Sequence, residues 1–127
     1  MKELFLLALA GGMGALSRYF VSSWITNRIA AHPLPWGTFI VNVLGCFLFG
    51  ILWILARERS IISPKSAFYI LTGFIGSFTT FSTFTFEVFL LFQQLKIHLA
   101  FLYLIGSQII GLVAAWAGIM FGRTIPL

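Results

Sequence analysis

From Trp36 to Ala56 the chain carries no charged residue. A helix needs roughly 20 mainly apolar residues to cross a hydrocarbon core about 30 Å thick, and this run is that long. Three more runs emerge when charges and loop signals serve as boundaries. Residues 4–29 are interrupted by Arg18 and end beside Arg28, residues 66–95 hold only Glu87 as a charge, and residues 99–122 hold none. Between them lie turn signals: the two prolines of Ala31 to Pro35, the polar stretches Arg57-Glu58-Arg59 and Ser63-Pro64-Lys65, and Lys96 with His98. The pattern predicts an all-α integral membrane protein, a single membrane domain over residues 1–127 with four transmembrane helices.

Composition agrees. Hydrophobic residues make up 60% of the chain and charged residues 9%, whereas soluble domains carry about a quarter charged residues. The net charge of +5 reads as the Lys/Arg excess found at membrane helix ends, since no basic patch with interleaved aromatics suggests nucleic acid. With four spans both termini share a side, together with Lys2, Arg57, Arg59, Lys65 and Arg123; the other side has Arg28 and Lys96. The positive-inside rule places the termini in the cytoplasm.

The apolar stretch after Lys2 runs well past Ala8-Leu9-Ala10, so it is read as a retained first helix rather than a cleaved signal peptide. Cys46 is the only cysteine, which excludes an intramolecular disulfide, and no Cys, His, Asp or Glu grouping has the spacing of a zinc or iron site. No nucleophile–base pair, carboxylate dyad or phosphate-cradling loop supports an enzyme.

The third run is irregular. A straight helix over residues 66–95 would be about 45 Å long at 1.5 Å per residue, well beyond the hydrocarbon thickness. Its middle, Gly73-Phe-Ile-Gly76-Ser-Phe-Thr79-Thr80-Phe-Ser82-Thr83, is poor in helix formers. A break near Gly76 to Thr80 puts irregular backbone at membrane depth, which is tolerated only inside protein or along a polar cavity; a kink or a packing glycine is the other reading. Four short helices are too few to enclose a water-filled path, so a conducting unit is expected to be at least a dimer. Ala114, Gly118 and Gly122, four apart on the fourth helix, suit a close interface within or between subunits.

Each polar group inside the spans needs an account. Arg18 either snorkels to the interface or sets a positive charge in a vestibule that draws anions. Asn42 either bridges helices or offers its amide donors to a desolvated anion. Phe81 and Phe84 share a helical face beyond the break; their positive ring edges suit a small anion, and lipid contact or packing is the plain alternative. Thr79, Thr80, Ser82, Thr83 and Thr85 cannot all bond back to the preceding turn without strain, so some should face a polar path or a neighbouring helix. Tyr103 and Ser107, at i and i+4, continue such a track on the fourth helix. Glu87 lines a vestibule, pairs with a basic residue, or reaches the headgroups.

Three motifs in order, Gly11-Gly12-Met-Gly14-Ala15-Leu-Ser-Arg18-Tyr19, Gly37-Thr38-Phe-Ile-Val41-Asn42-Val-Leu-Gly45 and the Gly73 to Phe84 stretch with Thr79-Thr80-Phe81-Ser82-Thr83-Phe84, resemble the Fluc-type (CrcB family) fluoride channels. The resemblance implies an antiparallel, dual-topology homodimer with two separate fluoride pores in the cell inner membrane, exporting toxic fluoride passively. It implies that Asn42 coordinates the anion, that Phe81 and Phe84 line the pore with ring edges, and that Thr83, Tyr103 and Ser107 belong to a polar track. Arg18, with Glu87, belongs to the vestibule, and the carbonyls of Gly76 and Thr79 hold a structural sodium ion at the dimer interface. Two features depart from the pattern: Gly111 stands where some relatives have a serine, and the Lys/Arg asymmetry favours one orientation. The rival classes are a small multidrug-resistance-type exporter, opposed by the absence of a carboxylate in the middle of the first helix, and a non-transporting membrane scaffold.

Overall fold

The computed structural model describes residues 1–29 and 32–126, so Ala31 of the first expected turn lies outside the described residues. Helix α1 is Lys2–Arg28 and α2 is Trp36–Arg57. The third crossing is assembled from pieces: α3 (Pro64–Phe68), a π-helical stretch Tyr69–Ile75, α4 (Gly76–Phe78) and α5 (Phe81–Gln93). Helix α6, Ile97–Thr124, completes four spans long and apolar enough to cross a bilayer.

Local chemistry sets these limits. Ser63 caps α3 by accepting the Ser66 amide at 3.2 Å, with Pro64 in the first turn, where a missing N–H costs nothing. Helix α5 ends on a left-handed Leu95, φ 58°, which lets the Leu95 and Lys96 amides turn back to the Phe92 and Leu91 carbonyls. Before α2, the indole N–H of Trp36 donates to Nδ1 of His32 at 2.8 Å and holds the turn closed.

Burial is inverted relative to a soluble protein: Phe20, Trp24, Leu112 and Trp116 are each more than half exposed. Lipid tails are as apolar as these side chains, so helix association relies on close fit rather than on hydrophobic burial. Gly118 supplies that fit between α6 and α2, for a Cβ there would lie 2.1 Å from the Phe47 carbonyl oxygen. Gly122 seats against Ile51 and Ile54 in the same way, so both residues serve an interface within the chain. Gly14 brings α1 equally close to the Phe74 carbonyl of the π-helical stretch. A compact cluster of Phe84, Val88, Leu91, Ala100 and Tyr103 joins α5 to α6.

One end of the bundle gathers both ends of the chain. Glu3 pairs with Lys65 at 2.6 Å, and Arg123 grips Glu58 with two nitrogens at 2.7 and 3.0 Å. Arg59 donates to the carbonyls of Arg123 and Ile125, closing the free end of α6. Arg57 lies over the Trp53 ring at this end and Arg28 over Trp24 at the other, the cation–aromatic pairs of membrane interfaces.

Candidate functional site

The centre of the site is the break itself. Thr79 turns to extended backbone (φ −82°, ψ 160°) and Thr80 follows (φ −146°, ψ 118°). Two extended residues at bilayer depth expose backbone groups that need partners. Asn42 of α2 supplies both for Thr80: its Oδ1 accepts the Thr80 amide at 2.8 Å, and its Nδ2 donates to the Thr80 carbonyl at 3.1 Å. The reciprocal pairing sets which way the amide points. Asn42 therefore bridges helices, and one N–H of its two remains for another acceptor. Thr80 also starts α5, its hydroxyl accepting the Thr83 amide at 3.3 Å and donating to the Thr83 hydroxyl at 3.0 Å.

The hydroxyl cluster divides accordingly. Thr79 and Thr85 bond back to the carbonyls of Ile75 and Phe81. Thr80, Ser82 and Thr83 gather at the start of α5, with Ser82 at 3.5 Å from Thr80.

Three cavities open around the break and a fourth at the α1–α2 turn, and most of the residues singled out from sequence are shared among them. One of about 320 Å³ is lined by Asn42, Thr80, Phe81, Phe84, Ser107 and Gln108. Its two phenylalanines stand 6.3 Å apart, Phe81 76% exposed and Phe84 only 4%. The Ser107 Oγ is buried with no hydrogen-bond partner among the described residues, a rare and costly state that points to a missing acceptor or donor. A second, about 220 Å³, holds Arg18 with Ser22, Ser23, Thr38, Thr80 and Thr83. A third, about 230 Å³, reaches Glu87 from the α1–α2 turn beside His32 and Trp36. The fourth and largest, about 470 Å³, is an open groove almost wholly apolar, bordered by Gly45, Trp53, Gly76 and Thr79.

The hydrogen bonds of Glu87 and Tyr103 tie the two residues to each other. Glu87 does not reach for headgroups: the hydroxyl of Thr38 donates to one of its oxygens at 2.7 Å and that of Tyr103 to the other at 2.8 Å, tying α2, α5 and α6 together. Tyr103 thus turns its hydroxyl to Glu87 and does not line the cavity of Ser107, while its ring meets Phe84 edge to face at 5.0 Å. Thr38, only 6% exposed, had no role from sequence alone. It lies one turn before Asn42 on the same face of α2, and that spacing was the available signal. Gln108 was also missed, though an amide in an otherwise apolar run marks it.

Gly76 and Thr79 fit the chemistry of a hard cation. In a continuous helix their carbonyls would accept the amides of Thr80 and Thr83; those amides go instead to Asn42 Oδ1 and to Thr80 Oγ1. Two carbonyl oxygens deprived of their helical donors, at the edge of an open groove, are the ligands such an ion takes.

Four membrane-length helices gathered round a broken, hydroxyl-rich crossing define a small multi-pass membrane protein with polar cavities at bilayer depth. The sequence profile described as "CrcB-like protein, Camphor Resistance (CrcB)" matches residues 5–119. The chain is 46% identical over 98% of its length to the fluoride-specific ion channel FluC of Nitrosococcus oceani, covering 98% of that protein. It is 43% identical to the protein of the same name from Solidesulfovibrio magneticus, over 98% and 99% of the two chains. With that of Flavobacterium psychrophilum it shares 36% identity over 97% and 98%. The chain belongs to the CrcB family.

Proposed function

We propose that this protein is a fluoride-specific ion channel that conducts passively, and that its path runs past the break through the cavity between Asn42 and Ser107. The observation that carries the reading is the pairing of an orphaned Ser107 hydroxyl with an unspent Asn42 N–H on one cavity flanked by Phe81 and Phe84. Fluoride holds its water tightly, so a path must offer replacement donors at close range while binding too weakly at each point to trap the ion. The amide and hydroxyl are such donors, and the ring edges of the two phenylalanines add weak positive potential without water. Arg18 and the hydroxyls of Ser22, Ser23 and Thr83 form an electropositive approach. The Thr38 and Tyr103 hydroxyls hold the Glu87 carboxyl in place and away from the path.

The working unit is an antiparallel homodimer of this single membrane domain, in the cell inner membrane, where it exports toxic fluoride. The openness of the cavities argues for a second copy: those beside the break each lack a wall on one face of the lone chain. The carbonyls of Gly76 and Thr79 would hold a sodium ion jointly with the second copy's pair, since two oxygens are too few to close a shell. When bound, that ion supplies a fixed positive charge and a cross-link between subunits. No part of this assigns an enzymatic reaction.

The test is ion efflux from potassium-loaded liposomes holding the purified protein, with a potassium ionophore added so that cation exit balances the charge, followed with a fluoride electrode and a chloride electrode. Fluoride is expected to leave quickly while chloride stays. Retention of both ions by folded, dimeric protein would overturn the reading.

A further inference from the structure

Gln108 is an unexplained cost. Counting 1.5 Å per residue, it lies roughly 16 Å along α6, close to the middle of the bilayer. Its side chain is exposed on the lone chain, and its amide enters no hydrogen bond among the described residues. A primary amide facing hydrocarbon is expensive, so it must meet water, an ion or another polar group in the working protein. It borders the same cavity as Asn42 and Ser107, and so does Gly111, one turn further along the same face. Gly111 leaves that level open: a Cβ placed there would find only the Cys46 sulfur, at an ordinary 3.6 Å. The helix therefore presents a long, flexible donor next to a gap in the cavity wall.

We infer that Gln108 is an anion-binding residue of this path, its side-chain N–H groups reaching into the space beside Gly111 and carrying fluoride onward from Ser107. The inference rests on the proposed fluoride path and deepens it. Gln108 offers two donors on a side chain long enough to follow the ion, where a short hydroxyl would be fixed. Its carbonyl oxygen would repel an anion, so the amide must turn its nitrogen inward, which a residue with three free torsions does readily. The competing account is that Gln108 bonds to a second copy of the chain and only holds the assembly together.

The experiment uses full-length protein in liposomes and three chains: wild type, Gln108→Leu, and Gln108→Leu with Gly111→Ser. Leucine keeps the bulk and removes the amide. Serine at 111 fits the space beside Cys46 and puts a hydroxyl at the same level. Gln108→Leu is expected to slow fluoride efflux about tenfold, the scale of one hydrogen bond to a charged group. The double variant is expected to regain most of that loss, and chemical cross-linking should find all three chains equally dimeric. Efflux at the wild-type rate from Gln108→Leu overturns the inference. So does a slow Gln108→Leu that has lost its dimer cross-link and is not rescued by Gly111→Ser, because that pattern belongs to a bridge between copies. Failure of the parent reading shows separately, as a wild-type chain that passes no fluoride.

Discussion

At the residue scale, Asn42 is spent on structure and still keeps one N–H free for the proposed path. An anion site needs donors, and from sequence alone Asn42 stood between that role and a helix bridge. It is a bridge first, because the Thr80 backbone has no strand or helix to satisfy it and the Asn42 amide imitates a neighbouring strand. Asn42→Ala leaves a half-buried N–H and C=O of Thr80 unpaired, at up to about 1–3 kcal/mol each. We expect it to lower the melting temperature in detergent and to abolish flux together. Asn42→Asp keeps the acceptor for the Thr80 amide and loses both donors, so it is expected to stay folded better than the alanine variant and still fail to conduct. Equal melting temperatures for wild type and Asn42→Ala would contradict the bridging role.

Among the elements, the third crossing carried the most legible signal and the largest surprise. Charges and prolines marked where the runs begin and end, because a charge in hydrocarbon is costly enough to police every boundary. The glycines and hydroxyls from Gly73 to Thr83 marked the break, because they are poor at continuing a helix and able to cap a new one. Nothing in the residues from Tyr69 to Ile75 announces a π-helical turn. The segment packs closely on α1, Gly73 against Ala10 and Leu7 and the Phe74 carbonyl against Gly14, and tertiary contact of this kind leaves no local pattern. Depth and rotation were equally hidden: Thr83, Tyr103 and Ser107 read as one polar track, yet Thr83 borders the cavity of Arg18, Ser107 that of Asn42, and Tyr103 turns its hydroxyl to Glu87. The end of α5 makes a direct prediction. Leu95 is strained at φ 58° and exposed, and left-handed backbone costs a residue with a Cβ roughly 1–2 kcal/mol. Leu95→Gly is expected to raise stability by about 1 kcal/mol, read as a higher melting temperature with unchanged flux.

At the scale of the whole molecule, the clamp on α6 ties the chain's end to the α2–α3 loop. The Arg123 guanidinium beside Glu58 holds that exposed carboxyl below its ordinary value of 4.5. A depressed carboxylate contributes its stability above the unfolded value and loses it as pH falls through the folded one. The C-terminal end is therefore expected to loosen only below about pH 4.5, faster proteolysis near Arg123 being the readout; Glu58→Gln should loosen it at neutral pH. The clamp and its basic neighbours also concentrate positive charge at one end, which opposes equal insertion in both orientations. The proposed antiparallel dimer would have to form against that bias.

Passive, fluoride-selective conduction can be read from a single reversal potential. The measurement is made on protein fused into a planar bilayer with a tenfold fluoride gradient and equal chloride on both sides. Current is expected to reverse at the fluoride equilibrium potential, about 59 mV from zero for a monovalent ion. Reversal near zero, or no protein-dependent current, would contradict it.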